Sequence, residues 1–338
     1  MKLQLLDELI AIGHGDLRST DCLIAIDATN LPSPDPARAQ KIFQKTATHP
    51  VIVRELATLE DFLQTPLPSH LHVEVARIRN ENLIALKMSH VLGDAVSMFL
   101  FLKAMFGEDV VDGEPELKNF PPKKDTPYRD LLNSELWPAK RKKGMERKFL
   151  FASLDHGEVN LPTWNDLLLF CLLEALPYKR KAVWVPVNVR RNFWKGFGNG
   201  LSRLRIYPPR GGNLTDNLAH IRKQKQEAMT SGEVALPPAD FDIHNKRQRF
   251  LYDLWIRRPW ADWGSVSLSH LTNSQGFLNK LHSVRGISNL MPAHNGAIFA
   301  VTNGPVTDFT LTYDSAAVTD EEAQILLRDF LAGLTAKL

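Results

Sequence analysis

The sequence contains few cysteines, little net charge and no long apolar run. Among its 338 residues are two cysteines, Cys22 and Cys171, which lie in apolar surroundings with no second cysteine or histidine at metal-ligand spacing. They predict reduced core residues rather than a disulfide framework or a metal site. The formal net charge of +3 is too small to indicate nucleic acid as a partner.

Membrane and export signals are also absent from the sequence. No apolar segment reaches the roughly 18 residues that a membrane-spanning helix needs. The N-terminal residues are amphipathic and acidic, unlike a signal peptide. Together these absences predict a cytoplasmic protein without a membrane span.

Apolar residues, by contrast, make up 44% of the chain and can form a large core. Strand and helix patterns mix in both halves without a strict βαβ rhythm, which predicts an α/β (mixed α+β) fold. Residues 108–147 hold five prolines and many charges, which is typical of a crossover between two lobes. We therefore predict an N-terminal lobe over 1–107, a crossover linker over 108–150 and a C-terminal lobe over 151–338.

Several local patterns predict individual elements. Residues 80–82 form a turn signal between two strands and predict a hairpin. Thr163 and Thr319 each precede an acidic residue by three positions and predict capping boxes at helix starts. Residues 3–12, 34–48, 214–231 and 247–258 predict further helices. His70 and His72 share one face of a predicted strand; a metal pair is one reading, and a half-exposed strand is the commoner one.

Residues 83–95 contain the best candidate for chemistry. Seven mostly apolar residues predict a buried strand that stops just before His90, and an apolar pattern at helical spacing begins after Asp94. His90 therefore lies in a loop between a strand and a helix. An imidazole can take and return a proton near neutral pH. From spacing alone, a structural histidine and a plain N-cap aspartate explain the same pattern.

The residues around His90 and Asp94 resemble the His-x-x-x-Asp-Gly motif of the CoA-dependent acyltransferase superfamily. This group includes condensation domains of peptide synthetases, plant-type acyltransferases, wax-ester synthases and polyketide-associated acyltransferases. Ala95 replaces the glycine of the motif, and Ser89 stands where condensation domains carry a first histidine. Four further segments resemble family motifs in the family's order, namely residues 163–168, 185–190 with 198–202, 286–290 and 309–314.

The resemblance implies two lobes like chloramphenicol acetyltransferase, each a mixed sheet with helices, with a channel between them. It implies that His90 is the general base and that Asp94 pairs with Arg190 to hold the loop that contains Gly93. Backbone N–H groups near Gly93 are candidates for stabilising an oxyanion. Further candidates for the oxyanion site and the channel wall are Ser288, Asn289 and Trp263.

The implied function is an acyltransferase, of the class that transfers groups other than aminoacyl groups. Acyl-CoA or a phosphopantetheine thioester would be the co-substrate, with no bound cofactor, and a small-molecule or carrier-bound hydroxyl or amine would be the acceptor. The basic run 140–148 is a solvated charge run or a docking site for CoA phosphates or an acyl or peptidyl carrier protein, through Arg141, Lys142 and Lys143. The alternatives are a free-standing amide-forming condensation enzyme and an inactive carrier- or acyl-binding scaffold.

Overall fold

The chain forms two compact units, as seen in a computed structural model. The structure describes residues 21–27, 29, 31–45, 48–68, 72–90, 92–111, 113–118, 147–177, 181–192, 195–197, 200–209, 211–230, 265–272, 281–288, 290 and 296–338. The first unit comprises the described parts of Met1–Lys118, Asn188–Leu201 and Asn273–Asn289. The second comprises those of Asn119–Val187, Ser202–Thr272 and Leu290–Leu338. The helices predicted at 3–12 and 247–258, and His70, lie outside the described residues.

A mixed sheet forms the centre of the first unit. Its described strands are β1 (Asp21–Asp27), β2 (Ile52–Leu56), β3 (Val73–Ile78), β4 (Leu83–Ser89) and β9 (Val284–Ile287), in the order β2-β3-β4-β1-β9. The β2/β3 pair is parallel, and the other three pairs are antiparallel. The predicted hairpin is confirmed, because β3 and β4 pair from Ile78 and Leu83 outward. The strand before His90 is therefore a buried interior strand.

Three helices are described in the first unit, α1 (Pro36–Ile42), α2 (Leu59–Gln64) and α3 (Ala95–Met105). α1 is shorter than predicted: Asp35 caps its first turn, and it ends at Ile42 instead of continuing to residue 48. The sequence pattern did not predict α2, which starts at a capping box formed by Thr58 and Asp61. Its six residues are too few to show a helical period.

Strand β4 contains a buried lysine that the apolar pattern hides. Lys87 is fully buried, and its ammonium donates hydrogen bonds to the carbonyl oxygens of Phe62 and Thr65 at the C-terminal end of α2. It also lies 4.3 Å from the centre of the Phe62 ring. A cation is stabilised at a helix C-terminus, where carbonyl groups are unsatisfied. Lys87 thus fastens α2 to the strand that leads to His90.

The second unit contains a larger mixed sheet and three described helices. Its strands are β5 (Arg147–Asp155), β6 (Ala182–Asn188), β7 (Leu201–Ile206), β8 (Ser265–Thr272), β10 (Gly296–Asn303) and β11 (Val306–Asp314), in the order β5-β11-β10-β8-β6-β7. β11 is antiparallel to both β5 and β10, whereas β8 is parallel to both β10 and β6. The helices are α4 (Leu161–Ala175), α5 (Leu214–Thr230) and α6 (Asp320–Thr335). α4 and α6 pack together and contribute to one apolar core with the sheet.

The two predicted capping boxes have different outcomes. The box at Thr319 is confirmed: Thr319 Oγ1 accepts from the N–H of Glu322 at 3.2 Å, and Glu322 Oε2 accepts from the N–H of Thr319 at 2.8 Å. The box at Thr163 is wrong, because α4 begins at Leu161 and its N-cap is Asn160. Asn160 and a proline in the first turn supply the start signal, and this leaves the side chain of Asp166 available for other partners.

The structure can be compared with the sequence for cysteines, membrane-spanning helices and metal-binding clusters. Cys22 is half-buried and Cys171 is buried, and burial raises the pKa of the Cys171 thiol to about 12. Of the helices in the described ranges, none has the length and apolar character to cross a membrane. Within those same ranges, no three His, Cys, Asp or Glu side chains are arranged to hold a metal ion.

Candidate active site

His90 lies in a tight connection between β4 and α3. The chain turns directly after Ser89, whose carbonyl oxygen accepts from the N–H of Leu92 at 2.9 Å. Asp94 then caps α3, because its Oδ1 accepts from the N–H of Ser97 at 3.1 Å. Ala95 is the first residue of the helix, where alanine is favoured, so this position does not require the glycine of the motif. His90 is half-buried in this turn.

The carboxylate of Asp94 forms a buried, two-pronged ion pair with Arg190. Nη1 of Arg190 donates to Oδ2 of Asp94 at 2.7 Å, and Nη2 donates to Oδ1 at 2.9 Å. Both side chains are completely shielded from solvent. Planar guanidinium and carboxylate groups match in this geometry, and such charge-assisted pairs are strong and directional. The pair connects two segments that are 96 residues apart in the sequence.

Three further donors complete the shell of the Asp94 carboxylate. The N–H of Gly200 donates to Oδ2 at 2.9 Å, and Ser97 donates to Oδ1 through its N–H at 3.1 Å and its hydroxyl at 3.4 Å. Oγ of Ser97 also accepts from Nη2 of Arg190 at 3.3 Å. Both carboxylate oxygens therefore accept several hydrogen bonds. A carboxylate held in this way fixes the shape of the loop.

Ser97 was not among the predicted site residues. The signal that could have found it is its position three residues after an N-cap aspartate, where the backbone N–H faces the cap side chain. Its hydroxyl then lies beside the carboxylate as well. The contact with Arg190, in contrast, depends on tertiary structure.

Two glycines allow the backbone to approach this ion pair closely. A Cβ on Gly93 would lie 2.6 Å from Cβ of Ser97, and a Cβ on Gly200 would lie 2.5 Å from Cγ and 2.7 Å from Cζ of Arg190. Contacts this short require the neighbouring atoms to move. Side chains larger than hydrogen at these positions are therefore incompatible with the observed geometry.

Backbone hydrogen bonds hold the segment that contains Arg190. The N–H of Val189 donates to the carbonyl of Gly200 at 2.8 Å, and the carbonyl of Val189 accepts from the N–H of Lys118 at 2.7 Å. Arg190 itself forms an isolated antiparallel β-bridge with Leu117. The buried ring of Phe197 packs against phenylalanine rings of the first unit at 4.7 and 6.4 Å between centroids. The guanidinium is thus presented from a well-anchored loop.

Ser288 follows β9 at the same end of the strands as His90. β1 pairs with both β4 and β9, and its first residue, Asp21, is opposite Ser89 while Leu23 is opposite Ile287. Two strand spacings, roughly 10 Å, therefore separate the backbones at the ends of β4 and β9. Ser288 is half-buried there. The remaining predicted site residues lie outside the described residues, namely Asn289, Trp263, Arg141, Lys142 and Lys143.

Comparison with known sequences finds no matching family model and no matching curated protein. Many solved structures, however, are similar to this chain. A mutant starter condensation domain of rhizomide synthetase RzmA in a "product-released" conformation aligns with a TM-score of 0.63 and 11% identity, over 99% of this chain and 94% of that chain. Another mutant of that domain, in complex with C8-CoA and Leu-SNAC, aligns with a TM-score of 0.60 and 11% identity, over 99% and 93%.

A larger protein contains a similar region. The nonribosomal peptide synthetase FmoA3 aligns with a TM-score of 0.59 and 14% identity, over 99% of this chain but only 42% of that chain. At these identities the likeness concerns the fold, and it confirms the predicted mixed α/β fold. The chain therefore has a fold like that of these condensation domains.

Proposed function

We propose that this protein transfers an acyl group from a thioester to a hydroxyl or amine, with His90 as the general base. The observation that carries the proposal is the difference in burial and hydrogen bonding between the two side chains of the motif. Asp94 is buried and fully engaged by Arg190, Gly200 and Ser97, whereas His90 is half-buried in the turn before it. Of the two motif side chains, His90 is the more exposed one, and we assign the proton exchange to it.

The reaction at His90 needs no metal or redox group. His90 would take the proton of the acceptor O–H or N–H while the acceptor atom attacks the thioester carbonyl. The tetrahedral intermediate then collapses, the C–S bond breaks, and the thiolate takes the proton back from His90. The products are the ester or amide and the free thiol. Proton transfer of this kind typically contributes about 10² to 10⁴ in rate.

The oxyanion of the intermediate requires hydrogen-bond donors that are already in position. The backbone N–H near Gly93 and the side chains of Ser288 and Asn289 are the proposed donors. The geometry supports Gly93 because the ion pair of Asp94 holds the turn that contains it, and it supports Ser288 because β9 ends at the same edge as β4. One such donor is worth roughly 3 to 4 kcal/mol in the transition state.

A CoA or pantetheine thioester is the proposed donor. A structural neighbour has been solved in complex with C8-CoA and Leu-SNAC, which supports a thioester co-substrate for this fold. Arg141, Lys142 and Lys143 are the proposed docking residues for CoA phosphates or an acidic carrier-protein surface. The second candidate function is amide formation between two carrier-bound partners, which is favoured by the neighbours' being condensation domains of peptide synthetases.

The test is the release of free thiol from a panel of acyl-CoAs by the purified protein, in the presence of hydroxyl and amine acceptors. Wild type is compared with His90→Ala and with His282→Ala, which changes an exposed histidine of the same unit. We expect release by wild type and His282→Ala and a loss of about 10² to 10⁴ in His90→Ala. Equal release by wild type and His90→Ala would exclude His90 as the base.

A second arm separates the two candidate functions. Acyl-loaded carrier proteins replace acyl-CoA, and an aminoacyl-loaded carrier replaces the free acceptor. Turnover only with loaded carriers would favour the condensation enzyme, and turnover with acyl-CoA and a small acceptor would favour the acyltransferase. No turnover with any donor would favour the inactive scaffold.

A further inference from the structure

The apolar core of the second unit ends in a polar layer. On β8, Val266 and Leu268 point into the core, and His270 follows two residues later on the same face. On β10, Thr302 follows the core residue Ala300 in the same way and pairs with Thr307 on β11. The sheet face that is apolar along most of its length therefore finishes with one imidazole and two hydroxyl groups.

Helices α4 and α5 connect to this layer through a continuous chain of hydrogen bonds. Nζ of Lys225 lies 2.9 Å from Oδ1 of Asn165, and Nδ2 of Asn165 lies 3.0 Å from Nδ1 of His270. Nε2 of His270 lies 2.8 Å from Oγ1 of Thr302, which lies 2.7 Å from Oγ1 of Thr307. The chain thus runs from α5 through α4 to three adjacent strands.

The donors and acceptors of this chain can be assigned from its first member. An ammonium group only donates, so Lys225 must face the carbonyl oxygen of the Asn165 amide. The NH₂ group of Asn165 then faces His270 and donates to its Nδ1. Because Nδ1 accepts, the ring proton of His270 is on Nε2, where it is donated to Thr302.

The same direction continues to the far end of the layer. Thr302 accepts from His270 and donates to Thr307, whose oxygen also accepts from Nε1–H of Trp164 at 3.1 Å. With both lone pairs occupied, Thr307 directs its hydroxyl hydrogen to Nε2 of His156 at 2.9 Å. Nδ1 of His156 donates to the carbonyl oxygen of Gly157 at 2.8 Å. Because a carbonyl only accepts, Nδ1 of His156 carries the proton and Nε2 accepts, so this end of the chain imposes the same direction as Lys225.

We propose that this hydrogen-bond chain is an acid-sensitive connection that joins α4 and α5 to the sheet, and that its two ends, at Lys225 and His156, together hold His270 as the neutral Nε2–H tautomer. A proton added to Nδ1 would point at the NH₂ group of Asn165. The amide cannot rotate to relieve this conflict, because its NH₂ group would then face the ammonium of Lys225. Protonation of His270 therefore breaks the chain at its centre.

Burial and the nearby positive charge also favour the neutral form of His270. Burial, the Lys225 ammonium and His156 lower the pKa of His270 from 6.5 to about 4. Among the described residues of the packed elements, α4 contributes the buried carboxylate of Asp166, and α5 contributes Lys225 and Arg222, both of which pair with that carboxylate. β10 and β11 contribute the hydroxyl groups of Thr302 and Thr307, and the carboxylate of Asp308 on β11 accepts from Ser153.

The pH dependence follows from the difference between folded and unfolded states. The unfolded chain binds a proton at His270 below pH 6.5, whereas the folded chain binds it only near pH 4. The stabilisation by the neutral ring is present above pH 6.5 and is lost as the pH falls from 6.5 to 4. Across that window this one site raises the unfolding equilibrium constant by up to about 300-fold.

The first test is NMR of the imidazole nitrogens in ¹⁵N-histidine-labelled full-length protein. At neutral pH we expect an unprotonated Nδ1 and a protonated Nε2 for His270, and a titration midpoint well below 6.5. Lys225→Met removes a positive charge near His270, so a higher pKa of His270 is expected, whereas the His156 end of the chain should keep the ring proton on Nε2. Lys223→Met on the same helix, at an exposed position, is the matched control and should leave both unchanged.

The second test is the pH dependence of urea unfolding in wild type and His270→Gln. A glutamine can accept from Asn165 and donate to Thr302, so the hydrogen bonds are retained without the titratable group. The slope of the free energy of unfolding against pH gives the difference in bound protons between the unfolded and folded states. Between pH 6.5 and 4 we expect this difference to be smaller by about one proton in the variant than in wild type. The proposal is overturned by a wild-type His270 that titrates near 6.5 or is protonated on Nδ1. It is also overturned if the pKa of His270 in Lys225→Met equals that of wild type, or if the free energy of unfolding depends on pH equally in wild type and His270→Gln.

Discussion

Replacing Asp94 by asparagine should greatly lower the free energy of unfolding of the first unit. The substitution keeps the size of the side chain but removes its charge and turns one acceptor into a donor. That donor must then face two other donors in either orientation, namely Arg190 and Gly200 at the position of Oδ2 or Arg190 and Ser97 at the position of Oδ1. Arg190 becomes a buried cation without its counter-ion. Removal of one partner from a buried ion pair typically costs about 3 to 5 kcal/mol.

Urea unfolding followed by tryptophan fluorescence measures this loss. The matched control is Asp329→Asn, which removes a carboxylate that pairs with its neighbour Arg328 on the exposed side of α6. Surface pairs of this kind contribute about 0 to 1 kcal/mol. A large loss for Asp94→Asn with little change for Asp329→Asn would support the structural role of the buried pair.

A double substitution separates the charge effect from packing. Asp94→Leu should be strongly destabilised, because it leaves Arg190 without its counter-ion, whereas Asp94→Leu combined with Arg190→Met removes both charges and should recover much of the stability. The reasoning is refuted if Asp94→Asn costs less than about 1 kcal/mol, or if the double variant is no more stable than Asp94→Leu. An Asp94→Asn protein that is fully stable and fully active would show that the carboxylate is not needed to hold the loop.

Two further predictions use the same unfolding assay. Gly200→Ala places a Cβ 2.5 Å from Cγ of Arg190 and should destabilise the protein by about 1 to 3 kcal/mol. In Gly333→Ala, on α6, the new Cβ lies at an ordinary contact distance of 3.7 Å from Cys171. This change should stabilise the protein by about 0.5 to 1 kcal/mol. Equal effects of the two changes would contradict the close approach at Gly200. Thr319→Ala should cost about 1 kcal/mol by removing the N-cap of α6, and an unchanged midpoint would contradict the observed cap.

Elements governed by local periodicity were predictable from the sequence. The hairpin before His90 has alternating residues and a turn signal at 80–82, and it pairs from Ile78 and Leu83 as predicted. The capping box at Thr319 is also a local pattern, since both of its hydrogen bonds join residues three positions apart. The box at Thr163 failed because the residue that caps α4 is Asn160, which competes for the same helix start.

Buried charges in this chain were not predictable from local patterns. Lys87 lies in an apolar strand, and its partners are the carbonyl groups at the end of α2, more than 20 residues away. Asn165 and Asp166 looked like the start of a helix, but in the structure they contact His270 and Lys225. Periodicity describes which side chains are buried, not which distant group satisfies them.

The sequence alone therefore determined the mixed α/β class, the strand–turn–helix around His90 and, by its motifs, the condensation-domain-like fold. These depend on hydrophobic period, capping and turn chemistry, which act over a few residues. Only the tertiary structure decided that Ser97 and Gly200 complete the Asp94–Arg190 pair and that Asn165 joins Lys225 to His270. Such contacts join positions that are far apart in the chain, because a buried polar group needs a partner and only the folded backbone determines which one is within reach.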